Sequence, residues 1–145
     1  MAHTVNSVLI NAPYDKVFDL SNDIRRWKEF FDEYTESDVV EKSANRLTFK
    51  LTHKNGSSWQ SYRLLFKDDK FTYACRLDPM FPFEYMKILW LYRDVDGGIE
   101  MTWVQDFKMD AKAKFTDDQV EELINKHSRE NLKRFKEIIE NEANG

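Results

Sequence analysis

The chain has 145 residues, with 22 Lys and Arg against 26 Asp and Glu (net charge −4), and is 41% hydrophobic and 14% aromatic. That is the length of one domain, 1–145, and it is too apolar for a disordered tail. The acidic balance and the lack of a Lys/Arg block argue against nucleic acid. The single cysteine, Cys75, excludes an intramolecular disulfide or a Cys-rich zinc site, and no apolar run approaches the ~18 residues of a membrane span.

In chain order, Val5 to Asn11 reads as a strand, ended by Asn11-Ala12-Pro13. Pro13 suits the first turn of a helix whose apolar side carries Val17, Phe18 and Leu20. Ser21-Asn22-Asp23 breaks that helix, and Ile24 to Phe31 predicts a second one bearing Trp27, Phe30 and Phe31. From about residue 36 the period becomes two. Arg46 to His53 alternates, with Leu47, Phe49 and Leu51 on one face, and Asn55-Gly56 is a hairpin signal. Further strands are expected at Ser57 to Phe66, Phe71 to Asp78, Glu84 to Arg93 and Ile99 to Met109. Asp68-Asp69-Lys70, Pro79-Met80-Phe81-Pro82 and Gly97-Gly98 separate them. Thr116-Asp117-Asp118 supplies an N-cap and an acidic first turn for a long helix to about Asn141. Val120, Leu123, Ile124, His127, Asn131, Phe135 and Ile138 share one face of it. This order predicts an α+β fold in which a curved antiparallel sheet wraps the C-terminal helix and leaves an interior cavity.

Polar residues interrupt several apolar faces, and a buried polar group without a partner costs about 1–3 kcal/mol. Trp59, Ser61, Arg63 and Leu65 share one face of their strand, and Gln60, Tyr62, Leu64 and Phe66 the other. Periodicity leaves open which face is inside. Gln105 sits between Trp103 and Phe107, His127 and Asn131 lie one helical turn apart, and Tyr34 follows the ring cluster of the second helix. His127 has no neighbouring His or Cys, and His53 is on another element, so no metal site is expected. Neither a nucleophile elbow nor a phosphate-binding glycine loop is present in the sequence.

These residues resemble a family. The opening Val5 to Pro13, then Val17-Phe18-Asp19, Asn22-Asp23-Ile24 and Trp27, is similar to that of bacterial aromatic polyketide aromatase/cyclases. These enzymes belong to the START-like (helix-grip) superfamily. Phe31-Asp32-Glu33-Tyr34, Trp59-Gln60-Ser61-Tyr62-Arg63 and Pro82 to Met86 continue the match. Trp90, Tyr92-Arg93, Gly97 to Phe107 and Asn131 to Arg134 extend it over nearly the whole chain. The resemblance implies that Trp59, Ser61 and Arg63 point inward. It implies a poly-β-ketone substrate, delivered by the acyl carrier protein of a type II polyketide synthase. The expected reaction is regiospecific aldol cyclisation and dehydration to aromatic rings, without metal or organic cofactor.

In that reading Arg63 stabilises enolate or alkoxide charge, and Tyr34 or Ser61 relays a proton. Gln105 and Asn131 complete the polar lining, and Trp27, Phe30, Trp59, Phe83, Met86, Trp90 and Trp103 shape the pocket. Phe107 is expected on the cavity wall, and His127 beside Asn131 from its place on the helix. His127 and Asn55-Gly56-Ser57-Ser58 have no counterpart in the family pattern. A monomer is expected, and a cytoplasmic location because the N-terminus has no signal-peptide pattern. The alternative from the same residues is a non-catalytic carrier of a lipid or quinone, with a client-binding START-like protein as a third reading.

Overall fold

The computed structural model describes residues 1–145. Its strands are β1 (Ala2–Ile10), β2 (Tyr34–Ser43), β3 (Arg46–His53), β4 (Ser58–Phe66), β5 (Phe71–Arg76), β6 (Phe83–Val95) and β7 (Gly98–Met109). The helices are α1 (Tyr14–Ser21), α2 (Trp27–Phe30) and α3 (Asp117–Asn144), with a 3-10 turn at Ile24–Arg26. The strands form one antiparallel sheet in the order β1-β7-β6-β5-β4-β3-β2, open between β1 and β2. The helix-grip expectation therefore holds, with α3 laid against the sheet's inner face. No helix is long and apolar enough to cross a membrane.

Local chemistry sets the boundaries. Asn55 accepts from the Ser57 backbone N–H at 2.9 Å, and Gly56 takes φ +91°, which closes the β3–β4 hairpin. Gly98 opens β7 at φ +141°, where a Cβ would lie 2.1 Å from the Ile10 carbonyl oxygen. Any larger residue there would push β1 off β7. Thr116 and Gln119 form a reciprocal capping box at the start of α3, with N···O distances of 2.9 and 3.3 Å.

Several expectations are corrected. The segment Ile24 to Phe31 is a 3-10 turn followed by a single turn of α-helix. Pro13 is the N-cap of α1, one residue outside its first turn. The β6–β7 turn uses Asp96-Gly97, because Gly98 already pairs with Val95. The buried stripe of α3 is Val120, Ser128, Leu132, Phe135 and Ile139. It is rotated from the expected one, and Leu123 is 44% exposed.

The main core joins α1, α2, β3, β6, β7 and the second half of α3, through Phe18, Trp27, Phe30, Phe49, Trp90, Trp103 and Phe135 among others. A smaller cluster of Ala2, Met86, Phe107, Met109 and Val120 lies under the first turns of α3. Between these two clusters the helix and the sheet stand apart.

Candidate functional site: a cavity between sheet and helix

The space between the clusters is a cavity of about 310 Å³, and 14 of its 23 lining residues are hydrophobic. Strand alternation places its walls, since every second residue of β3 to β7 points inward. Trp59, Ser61 and Arg63 of β4 border it, with Phe83, Met86 and Trp90 of β6 and Trp103 and Gln105 of β7. Trp27, Tyr34, His127 and Asn131 line it from the helical side and the β2 start.

Phe30 and Phe107 do not line the cavity. α2 is one turn long, so Trp27 faces the cavity while Phe30 faces α3 and stacks on Phe135 at 4.7 Å. Phe107 has the right strand face, but it lies in the cluster beneath Val120, beyond the end of the cavity.

Arg63 is 1% exposed and is held by neutral groups alone. Its Nε donates to Asn22 Oδ1 at 2.8 Å and its Nη2 to Thr72 Oγ1 at 2.6 Å. The guanidinium carbon lies 4.1 Å from the Trp90 ring centroid and 5.3 Å from that of Trp27. Asn22 is fixed in turn, its Nδ2 donating to Tyr92 Oη at 3.0 Å and to the Phe18 carbonyl at 2.8 Å. Ser21 Oγ meets Tyr92 Oη at 2.8 Å. Burial lowers the Arg63 pKa from 12.5 to about 10, so the side chain is still a cation at neutral pH. Tyr92, buried beside it, is raised above 10 by desolvation, opposed by the Arg63 charge.

The ring wall behind Arg63 is continuous. Trp90 stacks on Trp103 at 4.5 Å and 10°, and on Trp27 at 5.7 Å and 28°. Trp103 Nε1 is buried without an acceptor, and its ring meets the Phe135 ring edge-on at 5.1 Å.

Ser61, which is 7% exposed, stands on β4 two residues from Arg63. Tyr34 packs edge-on against Trp59 at 6.0 Å, and burial together with the Glu33 charge raises its phenol well above 10. Asn131 Nδ2 donates to Glu33 Oε1 at 3.1 Å, which ties α3 to the α2–β2 link. Thr4 Oγ1 donates to Gln105 Oε1 at 3.2 Å, leaving the Gln105 amide N–H groups unbonded. His127 is exposed, one turn before Asn131.

Sequence reasoning missed Ser128, Ala74, Ile88 and Arg76 on the wall, and the Asn22–Thr72–Tyr92 cradle of Arg63. Thr72, Ala74 and Arg76 were findable from the alternation of β5, whose buried members are Thr72 and Ala74.

A family model described as polyketide cyclase / dehydrase and lipid transport matches residues 1–140. A protein of Streptomyces cyaneus, provisionally named a polyketide cyclase, is 40% identical over 131 residues, covering 87% of this chain and 86% of its own. One of Streptomyces halstedii, named the same way, is 34% identical over 107 residues, 70% of this chain and 97% of its own. The crystal structure of the Zhui aromatase/cyclase of Streptomyces sp. R1128 matches with a TM-score of 0.85 at 18% identity, over 95% of this chain and 93% of that one. At that identity the likeness is one of fold: the same sheet closed on the same long helix. With nearly its whole length matched by the family model and two relatives above 30% identity, the chain belongs to the polyketide cyclase / dehydrase and lipid transport family.

Proposed function

We propose that the protein is an aromatase/cyclase. It takes up a poly-β-ketone tethered to an acyl carrier protein and directs regiospecific aldol cyclisation and dehydration to aromatic rings. The observation that carries this reading is Arg63, a buried cation beside an apolar cavity with no carboxylate to neutralise it. A cavity that only dissolved an apolar molecule would gain nothing from a desolvated charge. A reaction that develops negative charge on oxygen does gain.

The chemistry follows from the substrate. A methylene between two carbonyls is acidic and gives up a proton to water in the pocket, without a strong base. The enolate carbon bonds to a distant carbonyl carbon, and that oxygen becomes an alkoxide. Arg63 offers its unbonded N–H groups to the developing negative oxygen, and its charge cannot be titrated away at neutral pH. The alkoxide takes up a proton. Loss of that hydroxyl with a neighbouring C–H proton then expels one water and leaves a carbon–carbon double bond. Tyr34, kept un-ionised by burial, serves as proton donor, with Ser61 relaying through water. The stacked rings of Trp27, Trp90 and Trp103 and the edges of Trp59 and Phe83 hold one conformer of a flexible chain, so that the right carbons meet.

The lipid or quinone carrier is the second reading, favoured by the hydrophobic majority of the lining. Incubation with a minimal polyketide synthase separates the two. The cyclase reading expects product regiochemistry to narrow to one ring pattern when the protein is added. An unchanged product mixture, together with tight binding of an intact lipid or quinone, would overturn it.

A further inference from the structure

A second arginine borders the same cavity. Ser61 pairs with Arg76 across β4 and β5, and Arg63 pairs with Ala74. Arg63 and Arg76 are therefore diagonal neighbours on one inner face, about 7–8 Å apart across the two strands. Their heads occupy different places. Arg63 is sealed against Trp90, while Arg76 is half-exposed at the end of β5, its guanidinium carbon 4.4 Å from the Trp59 ring centroid and 5.4 Å from that of Phe83.

Arg76 has no acidic partner, and the titratable group acting on it is the Tyr34 phenol. Its Nε donates to the Pro79 carbonyl at 3.0 Å and its Nη2 to the Phe81 carbonyl at 3.2 Å. A guanidinium carries five N–H groups, so three remain without a protein acceptor. The one carboxylate on the wall, Glu33, is occupied by Asn131. The cavity thus has two fixed cations, one deep and one near its opening, each flattened on an indole and each with donors to spare.

We propose that Arg76 is a second oxygen-binding residue of this site. It grips a carbonyl or carboxylate oxygen near the tethered end of the ligand, and so sets the register in which the chain lies. The proposal rests on the cyclase reading above. A tethered chain enters with its free end first, and its tethered end lies nearest the opening. In a poly-β-ketone the carbonyl oxygens recur at every second carbon, so one grip at Arg63 leaves the chain free to slip by two carbons. A second grip at a fixed spacing removes that freedom. The ligand class is therefore an elongated molecule with oxygen functions at two separated positions.

A stable probe tests the two-point grip without turnover. Sebacate, a flexible dicarboxylate with an apolar stem, is compared by calorimetry with its monomethyl ester at neutral pH. The wild-type protein is expected to prefer the diacid by about tenfold or more, the worth of one charge-assisted hydrogen bond. Arg76→Gln should erase the preference, and Arg76→Lys should keep part of it, having the charge without the fork. Equal binding of diacid and ester by the wild type, or a preference that survives in Arg76→Gln, would overturn the grip. Thermal denaturation shows whether each variant is folded; a role confined to tethering the Pro79–Phe81 link would move the melting temperature and leave the diacid preference intact. In the polyketide synthase assay, Arg76→Gln should broaden the ring-position ratio. A ratio identical to wild type would overturn the register role. If the wild type itself changes no product, it is the cyclase reading that fails, and the sebacate comparison still decides the grip.

Discussion

Replacing Arg63 by methionine separates what the residue does for the fold from what it does for chemistry. Burial brings the guanidinium from 12.5 down to about 10. On a fully buried group that corresponds to on the order of 3 kcal/mol by which the folded protein disfavours the charge. Methionine is flexible and apolar, reaches about as far as Arg63 Nε and removes that penalty. Against this, Asn22 Oδ1 and Thr72 Oγ1 lose their donor, at about 1 kcal/mol each, and the cation–π contact at 4.1 Å to Trp90 is worth a further 1–2 kcal/mol. These contributions nearly cancel. Urea denaturation is expected to give a stability within about 1–2 kcal/mol of wild type. Cyclisation should fall by roughly 10²–10³, the usual cost of removing one group that stabilises an oxyanion. A loss of stability well beyond about 3 kcal/mol would make Arg63 a structural residue. Unchanged product ratios in a folded variant would remove it from the chemistry.

The other side chains give sharper single readouts. Ala74→Leu adds three carbons to the cavity wall between Arg63 and Ile88. Stability should rise by up to about 2 kcal/mol while ligand affinity and turnover drop, and a destabilised variant would mean the space at Ala74 is already filled. Tyr34 is raised above its ordinary 10, so the stability it contributes is full below about pH 10 and is lost as pH climbs above that value. Tyr34→Phe should therefore flatten the alkaline stability slope by one proton; an identical slope would mean that Tyr34 ionises normally. Asn131→Leu breaks the tie to Glu33 and should disturb regiochemistry, whereas His127→Gln, at an exposed position, should change the rate modestly at most. Abolished turnover in folded His127→Gln would move the proton relay away from Tyr34 and Ser61.

The order of elements was legible because the inner strands alternate strictly. Leu47, Phe49 and Leu51, or Met101, Trp103 and Phe107, can satisfy a pleated surface in one way only. β2 was harder to read because it is an edge strand with a single buried residue, Ser37, and two register shifts, so its polar sequence carries little period. The α3 stripe was misjudged by about one position. Apolarity does not track burial there: Leu123 faces solvent at 44% while Ser128 is buried at 5%. A small hydroxyl faces the space that α3 leaves open, and no rule of helical periodicity marks such a place.

The site divides along the same line. Period two says that Trp103, Gln105 and Phe107 share a face, but it does not say how far along that face the helix stops covering the sheet. Phe107 falls under Val120, and Gln105, two residues earlier, borders the cavity. The limit is set by the crossing of α3 over β7, which is a tertiary fact. The same holds for the cradle of Arg63. Asn22 read as a helix breaker, which it is, since it caps α1 through the Phe18 carbonyl. Its second task, presenting Oδ1 to Arg63, joins residues 41 positions apart. A buried cation needs partners that sequence cannot locate; here they are neutral ones. A carboxylate in place of Asn22 would neutralise the charge that a developing enolate needs. The neutral cradle leaves a free positive charge at the cavity wall. On this argument Asn22→Asp should slow cyclisation in a protein that still folds, at a stability cost of about 1–3 kcal/mol because an oxygen replaces the Nδ2 that donates to the Phe18 carbonyl. If it speeded cyclisation instead, the unneutralised charge would not be what the site is built to keep.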